Sequence, residues 1–408
     1  MYIRQECLFS FEEIIKLQPK TRLELILAQL DFSNVLNGLA QLHATRGPKG
    51  HNELALLYAL VAMQVEKIKY FNKLVDRLKT DPIFRYNCGF NILEKTPSAS
   101  TFSRFLTKLS KIPSLEYDFE CLVKKAISIG IVDGSNVAID STKIDSFEKA
   151  RPKSKLKNDA VSPNWGAKND TDGNKIRWFG FKLHILADCK SELPLSILLS
   201  PASYSDGDLA IPLIKKFITK YSGVLSPKHF IMDKGYDFQK IYDYVTHDVK
   251  AQPIIAYNPR AQYAPPEGFN EKFEPICSMG YPLTYWGKDG DYLKFRCPQA
   301  TGKVNCPFGT KHCSNSNYGF CLKVNYKENN RYYSYPLRSS EDWQKLYNQR
   351  TSIERCNSRL KEYLNVNNLR SAGIRKAKVV ALLNCMALVA GTIAVNQKSN
   401  DLNLKQAG

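Results

Sequence analysis

The sequence predicts an α/β protein: a mixed sheet with flanking helices, an all-α N-terminal region ahead of it, and an inserted subdomain within it. Three observations carry this expectation. Apolar residues recur at helical spacing through roughly the first 118 positions. From position 134 short, β-branched apolar runs replace them, and two of these end in an aspartate. Over residues 259–336 the texture changes again, toward Pro, Gly, Tyr and Cys.

Taken in order, Leu54, Leu57, Leu60 and Val61 mark one helix, and Phe71, Leu74, Val75 and Leu78 the next. The cluster Thr96-Pro-Ser-Ala-Ser-Thr supplies capping side chains for a helix over 101–111. Phe102, Phe105, Leu106 and Leu109 share one face of it, with Arg104 and Lys108 on the other. A short helix, a tight turn and a second basic helix outline a helix-turn-helix, so this segment is a candidate for DNA contact. An ordinary helical hairpin with a solvated basic face fits the same pattern.

Asn136-Val-Ala-Ile-Asp140 reads as a strand ending in an acid, residues 177–188 alternate as a second strand, and 193–199 form a third. Their short links predict antiparallel neighbours. A helix over 207–221, the strand His229-Phe-Ile-Met-Asp233, a helix over 238–245 and a strand over 251–256 complete a layered sheet. Residues 141–177 read as a polar loop carrying Lys143, Lys149, Arg151, Lys153, Lys155, Lys157, Lys168 and Lys175, a candidate contact for a phosphate backbone. The chain turns helical again over 341–364. The apolar run 379–395 is broken by Asn384, Cys385, Gly391 and Thr392. It falls short of the roughly 20 apolar residues of a membrane span, so it is expected as a buried core helix with no membrane partner.

Lys plus Arg is 58 and Asp plus Glu is 39, a net charge of 58 − 39 = +19. With 43% apolar residues the chain is not of the disordered class, and its basicity points to polyanionic partners. No export signal is visible in the first ten residues, so the eleven cysteines are expected as reduced thiols in a cytoplasmic protein. Cys297, Cys306 and Cys313 lie near His312, but their spacings of nine and seven do not fit the short pairs of zinc knuckles. A small structural zinc site is weighed there against free thiols.

Three carboxylates stand out by placement. Asp140 and Asp233 each end a strand, and Glu354 lies within a helix. Hard oxygen ligands converging in this way suit Mg²⁺ or Mn²⁺, which keep open positions for a substrate phosphate. On one continuous helix at about 100° per residue, Tyr347, Arg350, Glu354 and Lys361 fall within about 60° of arc. Leu346, Ile353, Leu360 and Leu364 form an adjacent packing face, while Arg355 and Arg359 point elsewhere. Among weaker candidates, Lys182 and His184 share a strand face. Asp188, Asp206 and Asp208 lie in turns, with Asp206 expected as a helix cap. Tyr236 is read chiefly as packing, with stacking on an extruded base as the alternative.

The spacing Tyr347-x2-Arg350-x3-Glu354-x6-Lys361 resembles the Y-R-E-K signature of bacterial insertion-sequence transposases of the DDE class. Ala-Ile-Asp140-Ser-Thr and Asp233-Lys-Gly-Tyr-Asp resemble the first- and second-Asp motifs of that family, and Phe181-Lys-Leu-His184 a strand that follows the first. Asp81-Pro-Ile-Phe-Arg85-Tyr and Ser100-Thr-Phe-Ser-Arg-Phe105 resemble its helical N-terminal domain. The resemblance implies a ribonuclease-H-like catalytic domain that cuts and rejoins DNA by phosphoryl transfer. Asp140, Asp233 and Glu354 would act as catalytic metal ligands, and Tyr347, Arg350 and Lys361 would contact nucleic acid. It implies a helical DNA-binding and dimerisation domain over 1–118, catalytic parts over 134–258 and 337–398, and the insertion 259–336 between them. Double-stranded DNA at element ends and target sites is the implied partner, with a homodimer assembled on it. Two other readings stay open: a DNA-binding relative without catalysis, and a nuclease that cleaves without strand transfer.

Overall fold

In the computed structural model, the described residues are 10–42, 50–156, 159–169, 173–259 and 265–407. Lys157 and the first nine residues, on which the absence of an export signal was judged, lie outside them. Among the described residues, eight helices come first: α1 (Phe11–Lys16), α2 (Arg22–Leu27), α3 (Ser33–Ala40), α4 (Glu53–Val65), α5 (Phe71–Thr80), α6 (Pro82–Asn87), α7 (Ala99–Leu109) and α8 (Ser114–Ser128). Ser98 caps α7 through the amide of Thr101, and Phe102, Phe105, Leu106 and Leu109 are buried, as their spacing requires. The tight turn expected before α7 is instead a connection over 88–98. Lys108, expected on a free basic face, is paired with Glu53 at 2.7 Å. α8 carries the helical region past position 118, and one continuous core joins it to the sheet.

The sheet follows: β1 (Asn136–Asp145), β2 (Asn164–Asn169), β3 (Lys175–Asp188), β4 (Pro194–Pro201), α9 (Asp206–Tyr221), β5 (His229–Met232), α10 (Gln239–Asp243) and β6 (Gln252–Ile255). β3 is the long spine. β1 lies antiparallel along one edge of it, while β2 and β4 share the other edge, β2 on residues 175–180 and β4 on 181–187. β5 and then β6 continue parallel to β1. This mixed sheet with flanking helices is the expected α/β class. The basic segment after β1 is not wholly a loop, because β1 extends to Asp145 and β2 folds back onto β3.

The insertion holds a small antiparallel sheet of β7 (Thr284–Asp289), β8 (Tyr292–Arg296) and β9 (Cys321–Asn325), with its own core of Leu283, Leu293 and Phe295. The chain then returns to the main sheet through α11 (Glu341–Asn348), α12 (Thr351–Ser358) and α13 (Ile374–Ala407). Residues 374–398 are long and apolar enough to cross a membrane, but their most apolar stretch is 78% buried inside the fold. α13 packs on α2, α4, α7, α8 and β4, so the apolar run is spent on the core, as expected. A carboxylate ties the layers together: Glu116 of α8 accepts from Lys220 of α9 at 2.8 Å, and also from Lys216 and Lys378.

Among the described side chains of α13, Asn384 is polar and fully buried. Its carbonyl accepts the Asn365 amide at 2.9 Å, and its amide donates to Gln64 of α4 at 3.1 Å. Asn384→Ala should leave these groups unpaired and cost about 1–3 kcal/mol, read as a fall in the urea midpoint at unchanged slope.

Candidate active site

Parallel pairing of β1 with β5 sets the site. The register matches Asn136 with His229 and Ile139 with Met232, so the next step along both strands brings Asp140 beside Asp233. In a parallel pair, matched residues point to the same face, and neighbouring strands lie about 4.8 Å apart. Two half-buried carboxyls therefore stand side by side, where β5 ends and midway along β1, which runs past the expected end at Asp140 to Asp145. Burial, and then the nearby charges of Asp233 and Asp206, push Asp140 up to about 7. Asp233 is raised by burial and by Asp206, against the amide of Gly235. That amide donates to Asp233 Oδ1 at 2.8 Å, and a Cβ at position 235 would stand 2.9 Å from the same oxygen. The Asp-Lys-Gly turn therefore needs its glycine for the close approach.

α12 crosses β1 and β3 on the Asp140 face. Asn357 Nδ2 donates to Asp140 Oδ2 at 3.1 Å, and Glu354 lies one turn earlier on the same side of the helix. Glu354 does not complete a ligand group with the aspartates. It accepts from Arg350 Nη1 at 2.6 Å, and among the described residues no three His, Cys, Asp or Glu side chains form a metal-binding cluster. Arg350 also feels Asp233 and lies 5.9 Å from the Tyr347 ring, which stacks on Trp343 at 4.8 Å. The continuous helix expected from Tyr347 to Lys361 is broken twice. A tight turn at Gln349 and Arg350 separates α11 from α12, and a π-helical turn over 359–363 follows Ser358. Tyr347, Arg350 and Glu354 still meet, because three-residue hydrogen bonds carry the chain through the first break. Lys361 is shifted by the second break and sits with Lys143 and Lys168, within reach of the charge of Asp140. Arg355 and Arg359 turn away as expected, to Glu192 and to Thr392.

The weaker candidates resolve as follows. Asp188 is buried and accepts from Gly134 and Ser191, a structural turn. Asp208 pairs with Lys240 at 2.7 Å. Asp206 is not a cap; it binds Ser141 Oγ at 2.8 Å and Lys182 at 3.0 Å. His184 is buried on Ser200 at 2.8 Å, and burial lowers it to about 4. Tyr236 is 1% exposed, which excludes stacking on an external base. The described cysteines are free, and the zinc site weighed at Cys297, Cys306 and Cys313 is not supported, since no ligand group forms there. Asn357, which nothing in the sequence singled out, touches Asp140 directly; its only signal is its place three residues after Glu354.

The Transposase DDE domain family matches residues 124–390. The chain belongs to that family. Its DDE span takes in Asp140, Asp233 and Glu354, and a transposase domain of the DUF772 type matches residues 10–108 of the same transposase chain. No functionally curated protein matches it. A piggyBac transposase, solved as a synaptic complex with hairpin DNA, is 12% identical over 93% of this chain and 75% of that one, at a TM-score of 0.42.

The donor set around Asp140 and Asp233 fits a divalent cation. It offers hard oxygens and crowded negative charge, which the Gly235 amide, Arg350 and Lys234 partly offset at Asp233. Without the cation, charging Asp140 opposes folding: the unfolded carboxyl ionises near 3.8 and the folded one only near 7. The cost therefore grows between those pH values and is full above 7. In EDTA, Asp140→Asn should stabilise the fold at pH 8 by roughly 2 kcal/mol, an advantage that vanishes by pH 4, measured by thermal melts across that range.

Proposed function

We propose that this transposase cleaves DNA at the ends of an insertion sequence and joins the freed strands to target DNA by divalent-metal-dependent phosphoryl transfer. The observation that carries this reading is the register of β1 on β5, which sets two aspartates together where β5 ends. Asp140, Asp233 and Glu354 are the ligands for Mg²⁺ or Mn²⁺ and the catalytic acids. A cation held by these residues would supply activation of a water or 3′-hydroxyl and charge stabilisation at the leaving 3′-oxygen.

The chain's own residues do the rest. Arg350 offers a planar fork to a phosphate near the scissile bond, and Lys361 a point charge. Tyr347 holds Arg350 from beneath, anchored by its stack on Trp343. Lys143 and Lys168, grouped with Lys361, extend the cationic surface along the DNA backbone. On this reading of Tyr347, Arg350, Glu354 and Lys361 the chain is a transposase of the Y-R-E-K class. Residues 1–118 serve DNA binding and dimerisation, 134–258 and 337–398 the chemistry, with 259–336 as the insertion. Joining two element ends calls for a homodimer on double-stranded DNA, working at the cytoplasmic nucleoid.

With a duplex carrying element ends and Mg²⁺, the wild-type chain should nick and then join strands. Asp140→Asn, Asp233→Asn and Glu354→Gln should each lower cleavage by roughly 10²–10³-fold or more while retaining DNA binding. Arg350→Ala and Lys361→Ala should lose less. Cleavage without joined products would reduce the chain to a nuclease, and no cleavage by the wild type would overturn the proposal.

A further inference from the structure

We infer that Asp237 and Arg331 form a positioning pair, through which both ends of the insertion grip the turn carrying Asp233 and set where that carboxylate stands. The inference rests on the reading of Asp233 as a catalytic cation ligand. Asp237 closes the Asp233-Lys-Gly-Tyr-Asp motif and is 1% exposed, yet the chemistry above does not use it. A carboxylate taken this far out of water needs donors on both oxygens. Oδ1 accepts from Arg331 Nε at 3.1 Å and from the Tyr242 hydroxyl at 3.0 Å. Oδ2 accepts from Arg331 Nη2 at 2.8 Å and from the Asn258 backbone amide at 3.0 Å.

These donors mark where the chain leaves the main sheet and where it comes back. Asn258 is the last residue before the insertion, three positions after β6 ends. It acts twice, since its Nδ2 also donates to the Lys234 carbonyl at 3.0 Å. Arg331 lies near the end of the insertion, beside Asn330, which is 4% exposed. Asn330 accepts from Gln239 at 2.8 Å and donates to Asp243 at 3.1 Å, so it grips α10. Arg331 is itself braced: its guanidinium lies 5.2 Å from the Tyr257 ring, and Arg338 Nη2 donates to its carbonyl at 3.0 Å.

The turn between Asp233 and Asp237 has little slack. The Gly235 amide donates to Asp233 Oδ1, the Tyr236 amide to the Asp233 carbonyl at 3.1 Å, and the Asp237 amide to the Lys234 carbonyl at 3.4 Å. β5 ends at Met232, so strand register fixes how the chain arrives at Asp233, and the grip on Asp237 fixes how it leaves. A buried ion pair adds little net stability over an apolar replacement, whereas its two-pronged fork admits one geometry. The pair is therefore suited to holding a ligand in place.

The test is Mn²⁺-dependent cleavage of an element-end duplex by the full chain, with DNA titrated to separate kcat from KM. The variants are Asp237→Asn, Arg331→Met, Arg331→Lys and the double variant Asp237→Asn/Arg331→Met, with Asn384→Ala as a remote destabilised control. All are assayed at a temperature where melts show them folded. Asp237→Asn and Arg331→Met should each lower kcat by about tenfold or more, with KM for DNA within about twofold, because a small misplacement of a reacting group is costly. The double variant should lose no more than the worse single one, since the two residues act as a unit. Arg331→Lys keeps the charge without the fork and should fall between wild type and Arg331→Met. Asn384→Ala should cleave like the wild type. A purely structural tie predicts that Arg331→Met, while folded, also cleaves like the wild type, and that result overturns the inference. So do losses that multiply in the double variant. Absence of cleavage by the wild type defeats instead the reading on which the inference rests. Should Asp237→Asn and Arg331→Met not fold, Arg331→Lys decides, and an unaltered kcat in it overturns the inference.

Discussion

Parallel pairing of β1 with β5 forces two carboxyls into adjacent positions, and the rest of the site answers to that constraint. Unit charges about 5 Å apart at an effective dielectric near 20 repel by about 3 kcal/mol. The fold bears this because the strand residues leading into the two acids are apolar: Val137, Ala138, Ile139, Phe230, Ile231 and Met232 are all buried. The acids are therefore held by strands that the hydrophobic core fixes in register, and not by attraction to each other. Such an arrangement is unfavourable for a bare protein and favourable for one that meets a dication there.

Glu354 belongs to a different mechanical element. It is half exposed, lies on a short helix between a tight turn and a π-helical turn, and is satisfied locally by Arg350. The two aspartates are set by strand register, whereas the glutamate is set by a helix whose ends are both irregular. π-helical turns and three-residue turns in a helix often mark places where a functional side chain is re-aimed. Arg350 satisfies Glu354 and faces Asp233 at the same time, so one cation screens acids on two elements.

The fold was legible in the sequence where a single periodicity decided it. The strand through Asp140, the strand that stops just before Asp233, the helix after residue 206 and the buried run near 380 each follow from apolar spacing, although β1 runs on past Asp140 to Asp145. β2 was hidden because it is polar and edge-bound: Asn164, Lys168 and Asn169 carry no period-two apolar signal, and only pairing with β3 makes it a strand. The angular arithmetic for Tyr347 to Lys361 assumed an unbroken helix. Its near-neighbour contacts survived, but its longest step did not, because each irregular turn rotates everything downstream. Asp206 was misread because Ser-Asp at a helix start looks like a cap. Its actual partners, Ser141 and Lys182, come from two distant strands that no local pattern connects.

The central claim is that Asp140 and Asp233 form a cation site which Glu354 completes. The most direct measurement is a crystal structure of the chain with Mn²⁺ and element-end DNA, using anomalous scattering to locate the ion. The account predicts a Mn²⁺ peak bonded to both aspartates, with Glu354 released from Arg350 and turned toward the ion. A peak at other residues, or bound DNA with Asp140 and Asp233 free of metal, would contradict it.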